Sequence, residues 1–378
     1  MSPIIETLAA FVRVNSVNPA YGDGGSEANL APLVREFFAS RGIETFTQEV
    51  FPGRHNVIAR LPGRTSRRVV LEAHMDTVSV KGMSIPPFEP VIKDGRLHGR
   101  GSVDDKAGLV AMMHAVAALK EQRITPPCEV WMAAVVDEEF TYRGVVKLSE
   151  GLEAAGAVVA EPTEMRAVIA SKGVLRWRMR VRGRAAHSSK PHLGVNAISH
   201  MARLVLALED ENERLAARTH PLLGPGTLNV GVINGGVQVN FVPDDCAIEI
   251  DRRLLPGEPA ADVIAETQAL IERLKARHPG FDAFIEEPLL LVDEALDTPA
   301  QAQTVEVARE VLRGLGLNDE VCGVPFGSDA SKLSRAGIPT IVFGPGSIDQ
   351  AHAADEYVPV DEVIAASEFY RRWVLGFE

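Results

Sequence analysis

The sequence predicts an α/β protein with a mostly parallel sheet and a separate α+β unit inserted into it. Three observations carry this expectation. Short, mainly apolar β-branched runs alternate with longer amphipathic stretches, the pattern of a sheet with covering helices. A central segment instead alternates apolar and basic residues with period two, as a half-exposed antiparallel strand does. The length, 378 residues, calls for two or three compact units at roughly 150 residues each.

Taken in order, Val69 to Ala73 (VVLEA) reads as the first buried strand. Leu109, Met112, Met113, Val116 and Leu119 fall on one helical face, with Asp104 or Asp105 where an N-cap belongs. Cys128 to Val136 (CEVWMAAVV) and Ala157 to Ala160 (AVVA) are further buried strands. Val174 to Arg182 (VLRWRMRVR) opens the inserted unit, which continues through helices near 194–208 and 262–275 and strands near 227–232 and 246–251. The first pattern then returns. A helix from Thr304 to Leu312 is stopped by Gly314 and Gly316, and Thr340 to Phe343 forms a last buried strand. The expected organisation is one discontinuous domain, 1–172 and 290–378, interrupted by a second at 173–289. No repeat or low-complexity linker breaks this pattern.

Apolar residues make up 46% and charged residues 24%, which excludes a disordered or collagen-like chain. The 51 acidic residues against 39 basic ones leave a formal charge of −12, a surface that repels phosphates. That argues against a general nucleic-acid or anionic-membrane binder and for a small-molecule or peptide substrate. Cys128, Cys246 and Cys322 stand far apart without CxxC spacing, so no disulfide framework or thiolate zinc site is expected. The N-terminus has no basic stretch before an apolar run, and no apolar run is long enough to span a bilayer. A cytoplasmic protein without a signal peptide is the expectation.

Polar clusters follow directly on the apolar strands, where the ligands of parallel sheets collect at the carboxyl ends. After VVLEA comes His74-Met75-Asp76, in which His74 can bind a metal while Asp76 fixes the imidazole tautomer from behind. An ordinary surface histidine is the competing reading. Gly99-Arg100-Gly101-Ser102-Val103 turns the chain tightly and delivers Asp104 to a helix start, where Asp104 or Asp105 could equally serve as a cap. The strand CEVWMAAVV runs into Asp137-Glu138-Glu139, three successive acids that repel one another unless a cation is held nearby; an exposed turn is the alternative. After AVVA, Pro162 keeps Glu161 extended and pointing into the crevice. Phe343-Gly344-Pro345-Gly346 leads to His352, which such a loop presents either to the same crevice or to solvent. Two histidines and several carboxylates together form a hard N/O donor set suited to a pair of divalent ions, zinc first, with one unligated carboxylate left as a general base. Hydrolysis of an amide is the chemistry this set predicts.

HMDTV, GRGSVDDKAG, VDEEF, AEPT, AAHSSKPHLGVNAI and GPGSIDQAHAADEYV occur in that order along nearly the whole chain. On these motifs the sequence resembles the acetylornithine deacetylase, succinyl-diaminopimelate desuccinylase and carboxypeptidase G family of di-zinc amidohydrolases; the last motif looks closest to acetylornithine deacetylases. The resemblance implies a zinc-exopeptidase-like catalytic domain with an inserted lid and dimerisation domain. It makes His74, Asp104 and Glu161 the ligands of one metal, with Asp104 bridging to a second that Glu139 and His352 complete. Asp76 then orients His74, Glu138 is the general base, and Asp105 is left as a cap or supporting group. In the inserted domain, His187 matches the histidine that polarises the substrate carbonyl, often donated by the partner of a dimer. Asn240 and Arg253 match lid positions near the substrate, the arginine being suited to a free carboxylate. Ser328 matches a loop beside the substrate. One departure is Lys106-Ala107-Gly108, where the family usually has Gly-Gly or a glycine directly after the lysine.

What the resemblance implies about activity is removal of an N-acyl group from an amino acid, acetylornithine deacetylase-like, in cytoplasmic arginine biosynthesis. The implied enzyme is a homodimer with two zinc ions, or cobalt or manganese in their place. A desuccinylase, dipeptidase or carboxypeptidase of the same family is the alternative. From another class, a non-catalytic metal- or ligand-binding homologue would share the residues without the turnover.

Overall fold

A computed structural model describes residues 2–377, and the chain forms two compact units. The first runs through Ile169 and resumes over Thr298–Cys322 and from Ser328 onward; the second comprises Ala170–Asp297 and Gly323–Gly327. The sequence-based limits of 173 and 289 fall inside that second unit.

Helix α1 (Pro3–Val12) places Ile4, Ile5, Leu8, Phe11 and Val12 in the core of the first unit, and α2 (Ala31–Ala39) adds Val34, Phe37 and Phe38. Strands β1 (Glu44–Phe51) and β2 (Arg54–Leu61) form a hairpin around Pro52-Gly53, with Gly53 at φ +75°. That turn is why the pair is antiparallel: two residues can return a strand beside itself only in that sense. Strand β3 (Arg68–His74) leads towards α3 (Lys106–Glu121), and β4 (Glu129–Val135) and β5 (Gly156–Val159) follow.

In the sheet, β2 pairs antiparallel with β4, β4 parallel with β3, β3 parallel with β5, and β5 parallel with the strand Thr340–Val342. The last of these also meets Val168 in the antiparallel sense. The expected parallel sheet therefore describes the four central strands, and antiparallel strands flank it. Residues Val69 to His74 are all buried, which is why VVLEA reads as a continuous apolar run rather than an alternating one. Helix α3 is buried nearly all round, packed on the sheet and against α1 and the C-terminal helix Val360–Leu375. Gly108 makes that packing close: a Cβ there would stand 2.4 Å from Asp105 Oδ1 and 2.5 Å from the Ala160 methyl. Gly108, the glycine that follows Lys106-Ala107, is thus one the packing requires.

In the second unit, β6 (Gly173–Arg182), β7 (Thr227–Gly235) and β8 (Asp245–Leu254) form an antiparallel sheet in the order β7-β8-β6, extended beyond β6 by Asp282–Ile285. Leu175, Trp177, Met179 and Val181 of β6 share a core with Met201, Leu204 and Leu208 of α4 (Ala197–Leu215) and with Leu270, Ile271 and Leu274 of α5 (Ala260–Arg277). The alternate residues face away from the helices and form a ladder of ion pairs, Arg176 with Asp251, Arg178 with Glu249 and Arg180 with Asp245. This is the physical origin of the period-two VLRWRMRVR pattern. Among the described residues, no helix is long and apolar enough to cross a membrane.

Candidate metal centre

Four parallel strands point their carboxyl ends the same way, so the residues that follow them share one edge of the first unit. His74 ends β3, Asp137 to Glu139 follow β4, Glu161 follows β5, and the segment carrying His352 follows Thr340–Val342. Gly344 lets this last segment pass, since a Cβ there would stand 2.5 Å from the Glu161 carbonyl oxygen. Asp104 reaches the same place from the turn before α3.

The imidazoles and carboxylates are in direct contact. His74 Nε2 lies 3.0 Å from Asp104 Oδ1, while His352 Nε2 lies 3.1 Å from Asp104 Oδ2 and 3.3 Å from Glu139 Oε2. Asp104 thus stands between the two histidines. Potential ligand atoms of His74, Asp104 and Glu139 all lie within 4.8 Å of one another, as do those of His74, Glu138 and Glu161. His352 holds φ at +59° and Asp137 at +72°, backbone conformations that non-glycine residues adopt at cost and that cluster at functional sites.

Asp76 divides its work between main chain and side chain. Its backbone carbonyl accepts from His74 Nδ1 at 3.0 Å, against 3.5 Å for its carboxylate Oδ1. A carbonyl oxygen can only accept, so Nδ1 carries a proton, and Nε2 is left facing Asp104. The Asp76 carboxylate instead accepts from the backbone N–H of Glu138 and of Glu139, both at 3.1 Å, and from Asn18 Nδ2 at 2.8 Å. It holds in place the backbone that carries the two glutamates. Asn18 donates as well to Asp137 Oδ1 at 3.0 Å, and Arg54 pairs with Asp137 at 3.1 Å and with the buried Glu27. Asn18, Glu27 and Arg54 carry no motif, and nothing local in the sequence marks them.

Charge is concentrated here. Burial raises the Glu138 carboxyl well above its ordinary range, reinforced by Asp329, Glu139 and Asp104. Burial and Asp104 push Glu139 up to about 7, and burial with Asp104 and Glu138 raises Glu161. Burial works in the same direction on Asp104, but hydrogen bonds from His352 and His74 hold it below the carboxylate range. The same contacts with Asp104 and Glu139 push the His352 imidazole up to about 11. Tyr21, whose hydroxyl donates to the Glu139 carbonyl at 3.0 Å, is pushed up to about 12 by burial and then by Glu139. Glu139 Oε1 is buried with no hydrogen-bond partner among the described residues. Carboxylates that resist ionisation, an orphaned acceptor and two imidazoles at one edge suit hard divalent cations, which supply the missing positive charge.

Asp105 occupies the N-cap position of α3, but its buried carboxylate makes no capping bond. In the second unit, His187 sits on the short strand Ala186–His187, paired with Phe241–Val242, and Ser188 N donates to the Asn240 carbonyl at 3.0 Å. Asn240 and His187 are therefore neighbours. Arg253 is half-buried and donates to Asp251 at 2.8 Å; the adjacent Arg252 is buried and tied to Glu258. Ser328, in the first unit, is buried, and its Oγ accepts from Ala330 N at 3.4 Å.

Residues 70–376 match peptidase family M20/M25/M40. The chain belongs to that family. It is 34% identical over 331 residues to the acetylornithine deacetylase of Myxococcus xanthus, covering 85% of this chain and 84% of that one. Among solved structures it is similar to aminopeptidase PepT of Bacillus cereus, at TM-score 0.81 and 25% identity over 99% of this chain and 97% of that one. It also shares the fold of a Bacillus subtilis dinuclear metal binding peptidase of family M20, at TM-score 0.75 and 14% identity over 98% and 96% of the two chains. The α/β class and the sequence-based family assignment hold, and this M20/M25/M40 member is a metal-dependent amidohydrolase.

Proposed function

We propose that the chain removes the acyl group from an N-acyl amino acid, with N-acetylornithine as the first substrate to test. The carrying observation is the placement of Asp104 between His74 and His352, with Glu139 on the same side. That arrangement supports a two-ion centre in which His74, Asp104 and Glu161 hold one ion and Asp104, Glu139 and His352 the other. Two divalent ions, zinc by preference and cobalt or manganese in its place, would supply Lewis acidity to the scissile carbonyl and acidify a water. The acetyl-ornithine preference is supported by the deacetylase relative, and it would give the enzyme a place in arginine biosynthesis.

The chain's own residues account for the proton. Glu138 is buried beside the cluster and its basicity is raised, so it is suited to take a proton from the attacking water and return it to the leaving nitrogen. Asp76 keeps Glu138 in place through the backbone bond described above. His187 Nδ1 accepts from Ser189 N at 3.1 Å, which puts the neutral ring's proton on Nε2. An Nε2–H donor is the tautomer needed to polarise a substrate carbonyl. Asn240 and Arg253 are proposed to meet the rest of the substrate from the same unit, with Ser328 contributing from its loop.

A homodimer through the second unit is supported by its outer strand. Among the described residues β7 pairs only with β8, and Ile233, Val237, Val239 and Phe241 at or just beyond its end are exposed. Unpaired strand edges flanked by apolar side chains are ready sites for association. His187 would act within its own chain or across that dimer.

The likeness to an aminopeptidase favours a peptide substrate as the second reading. Comparing kcat/KM on N-acetylornithine, N-succinyl-diaminopimelate and a set of short peptides separates the two. A clear preference for peptides would overturn the deacetylase assignment.

A further inference from the structure

Glu356 lies four residues after His352 and is fully buried. Its Oε2 accepts from Arg100 Nη1 at 2.6 Å and from Gly101 N at 3.1 Å; its Oε1 accepts from Val103 N at 3.0 Å and Asp104 N at 3.3 Å. The Glu356 backbone carbonyl accepts from Gly99 N at 3.0 Å. Four of the six backbone N–H groups from Gly99 to Asp104 therefore end on this one residue. Gly99 and Gly101 have φ of +144° and +77°, so the segment has little conformational preference of its own to hold it there.

We propose that Glu356 is a positioning residue for the metal centre: its carboxylate docks the Gly99–Asp104 turn on the segment that carries His352. One side chain would thereby register Asp104, the proposed bridging ligand, against His352, a ligand of the second ion. This rests on the two-ion reading of the preceding subsection. The residue type follows from the donors. An ionised carboxylate offers acceptor sites on both oxygens, whereas the amide of glutamine would turn an NH2 group towards backbone N–H groups. Arg100 neutralises the buried charge, so removing Glu356 alone leaves an unpaired guanidinium; a double change avoids that.

The test uses the full chain stripped with chelator, titrated with Zn2+ by calorimetry and with Co2+ by visible absorption. Amide hydrogen exchange is followed across residues 99–104. Wild type is expected to bind two ions. Arg100→Met/Glu356→Gln is expected to keep its circular dichroism and lose about 10–100-fold in affinity for one ion, the usual consequence of disturbing a group behind a ligand. The Co2+ spectrum of that site should change, and exchange at Gly101, Val103 and Asp104 should accelerate. Arg100→Met alone leaves the buried carboxylate without its neutralising partner and should lower Tm, but both affinities should stay within about threefold, because the three backbone bonds that hold the turn remain. Glu356→Asp, which retains the charge but is one methylene short, gives the same reading if the double variant does not fold: one affinity weakened supports the role. Two ions bound by wild type with unchanged affinities in the folded variant would overturn this proposal alone. Fewer than two ions bound by wild type would overturn the two-ion reading and this role with it.

Discussion

Asn18 is the residue whose replacement most sharply tests the scaffold behind the metal centre. Its Nδ2 group donates to two buried carboxylates, Asp76 at 2.8 Å and Asp137 at 3.0 Å, while its Oδ1 caps a short turn by accepting from Ala20 N at 3.1 Å. Hydrogen bonds to ionised groups contribute about 1.5–3 kcal/mol each. Asp76 would keep two backbone donors and Asp137 would keep Arg54, so Asn18→Ala should cost about 2–4 kcal/mol in all, including about 1 kcal/mol for the cap. For a unit of this size that is a fall of roughly 5–15 °C in Tm. Asn18→Asp preserves the capping oxygen but brings a third carboxylate against two others. At about 3 Å and an effective dielectric of about 20, each contact repels by roughly 5 kcal/mol, a figure limited in practice by protonation of one member. The expected order of thermal midpoints at pH 7.5, measured by calorimetry, is Asn above Ala above Asp, and kcat should follow the same order. Asn18→Asp matching wild type, with Ala the lowest, would show that the cap matters and the bridge between Asp76 and Asp137 does not, and the reasoning would fail.

Three further outcomes are expected. Glu138→Gln should keep its metal content by elemental analysis while kcat falls by about 10²–10⁴, the contribution of a general base; near-normal turnover would remove Glu138 from that role. His114, hydrogen-bonded to Thr7 at 2.9 Å and packed against Phe37, is pushed down to about 4 by burial and then by Arg41. Because the unfolded chain takes up this proton near pH 6.5 and the folded chain does not, the stability this neutral group contributes is lost as pH falls from about 6.5 to about 4, by roughly 1–2 kcal/mol after allowance for its partial exposure. His114→Leu should flatten the Tm-against-pH curve in that window, and an unchanged slope would count against the assignment. Gly108→Ala should destabilise by about 1–3 kcal/mol in thermal unfolding, although alanine is the better helix former by about 1 kcal/mol, because Asp105 and Ala160 leave its methyl no room; a stabilised variant would refute the packing argument.

Much of the fold was legible because burial writes itself into local pattern. VVLEA, CEVWMAAVV and AVVA are continuous apolar runs since both faces of β3, β4 and β5 are covered, and VLRWRMRVR alternates since only one face of β6 is. The hairpin of β1 and β2 was not read. Its residues alternate between half-buried and exposed on β1, so neither the buried nor the amphipathic pattern stands out there. Glu72 also breaks the rule: it lies fully buried in the middle of β3, and burial pushes it up to about 8. A carboxyl in that place has no counterpart in a pattern of apolar runs.

The candidate ligands were legible for a related reason. Parallel strands deliver whatever follows them to one edge, so His74, Glu138, Glu139 and Glu161 could be grouped from their position directly after apolar runs. What the sequence by itself determined was therefore which strands are buried and which residue types stand at their ends. Only the tertiary structure decided how those residues are held. Asn18 reaches Asp76 across 58 positions, Glu356 reaches Gly101 across 255, and Asp76 uses its main chain for His74 and its side chain for the glutamate backbone. Such bonds join groups with no shared periodicity, and each depends on a buried donor finding an acceptor brought from elsewhere in the chain. Hydrophobic pattern is a local consequence of burial, whereas satisfaction of buried polar groups is settled only when the strands and turns have been packed together.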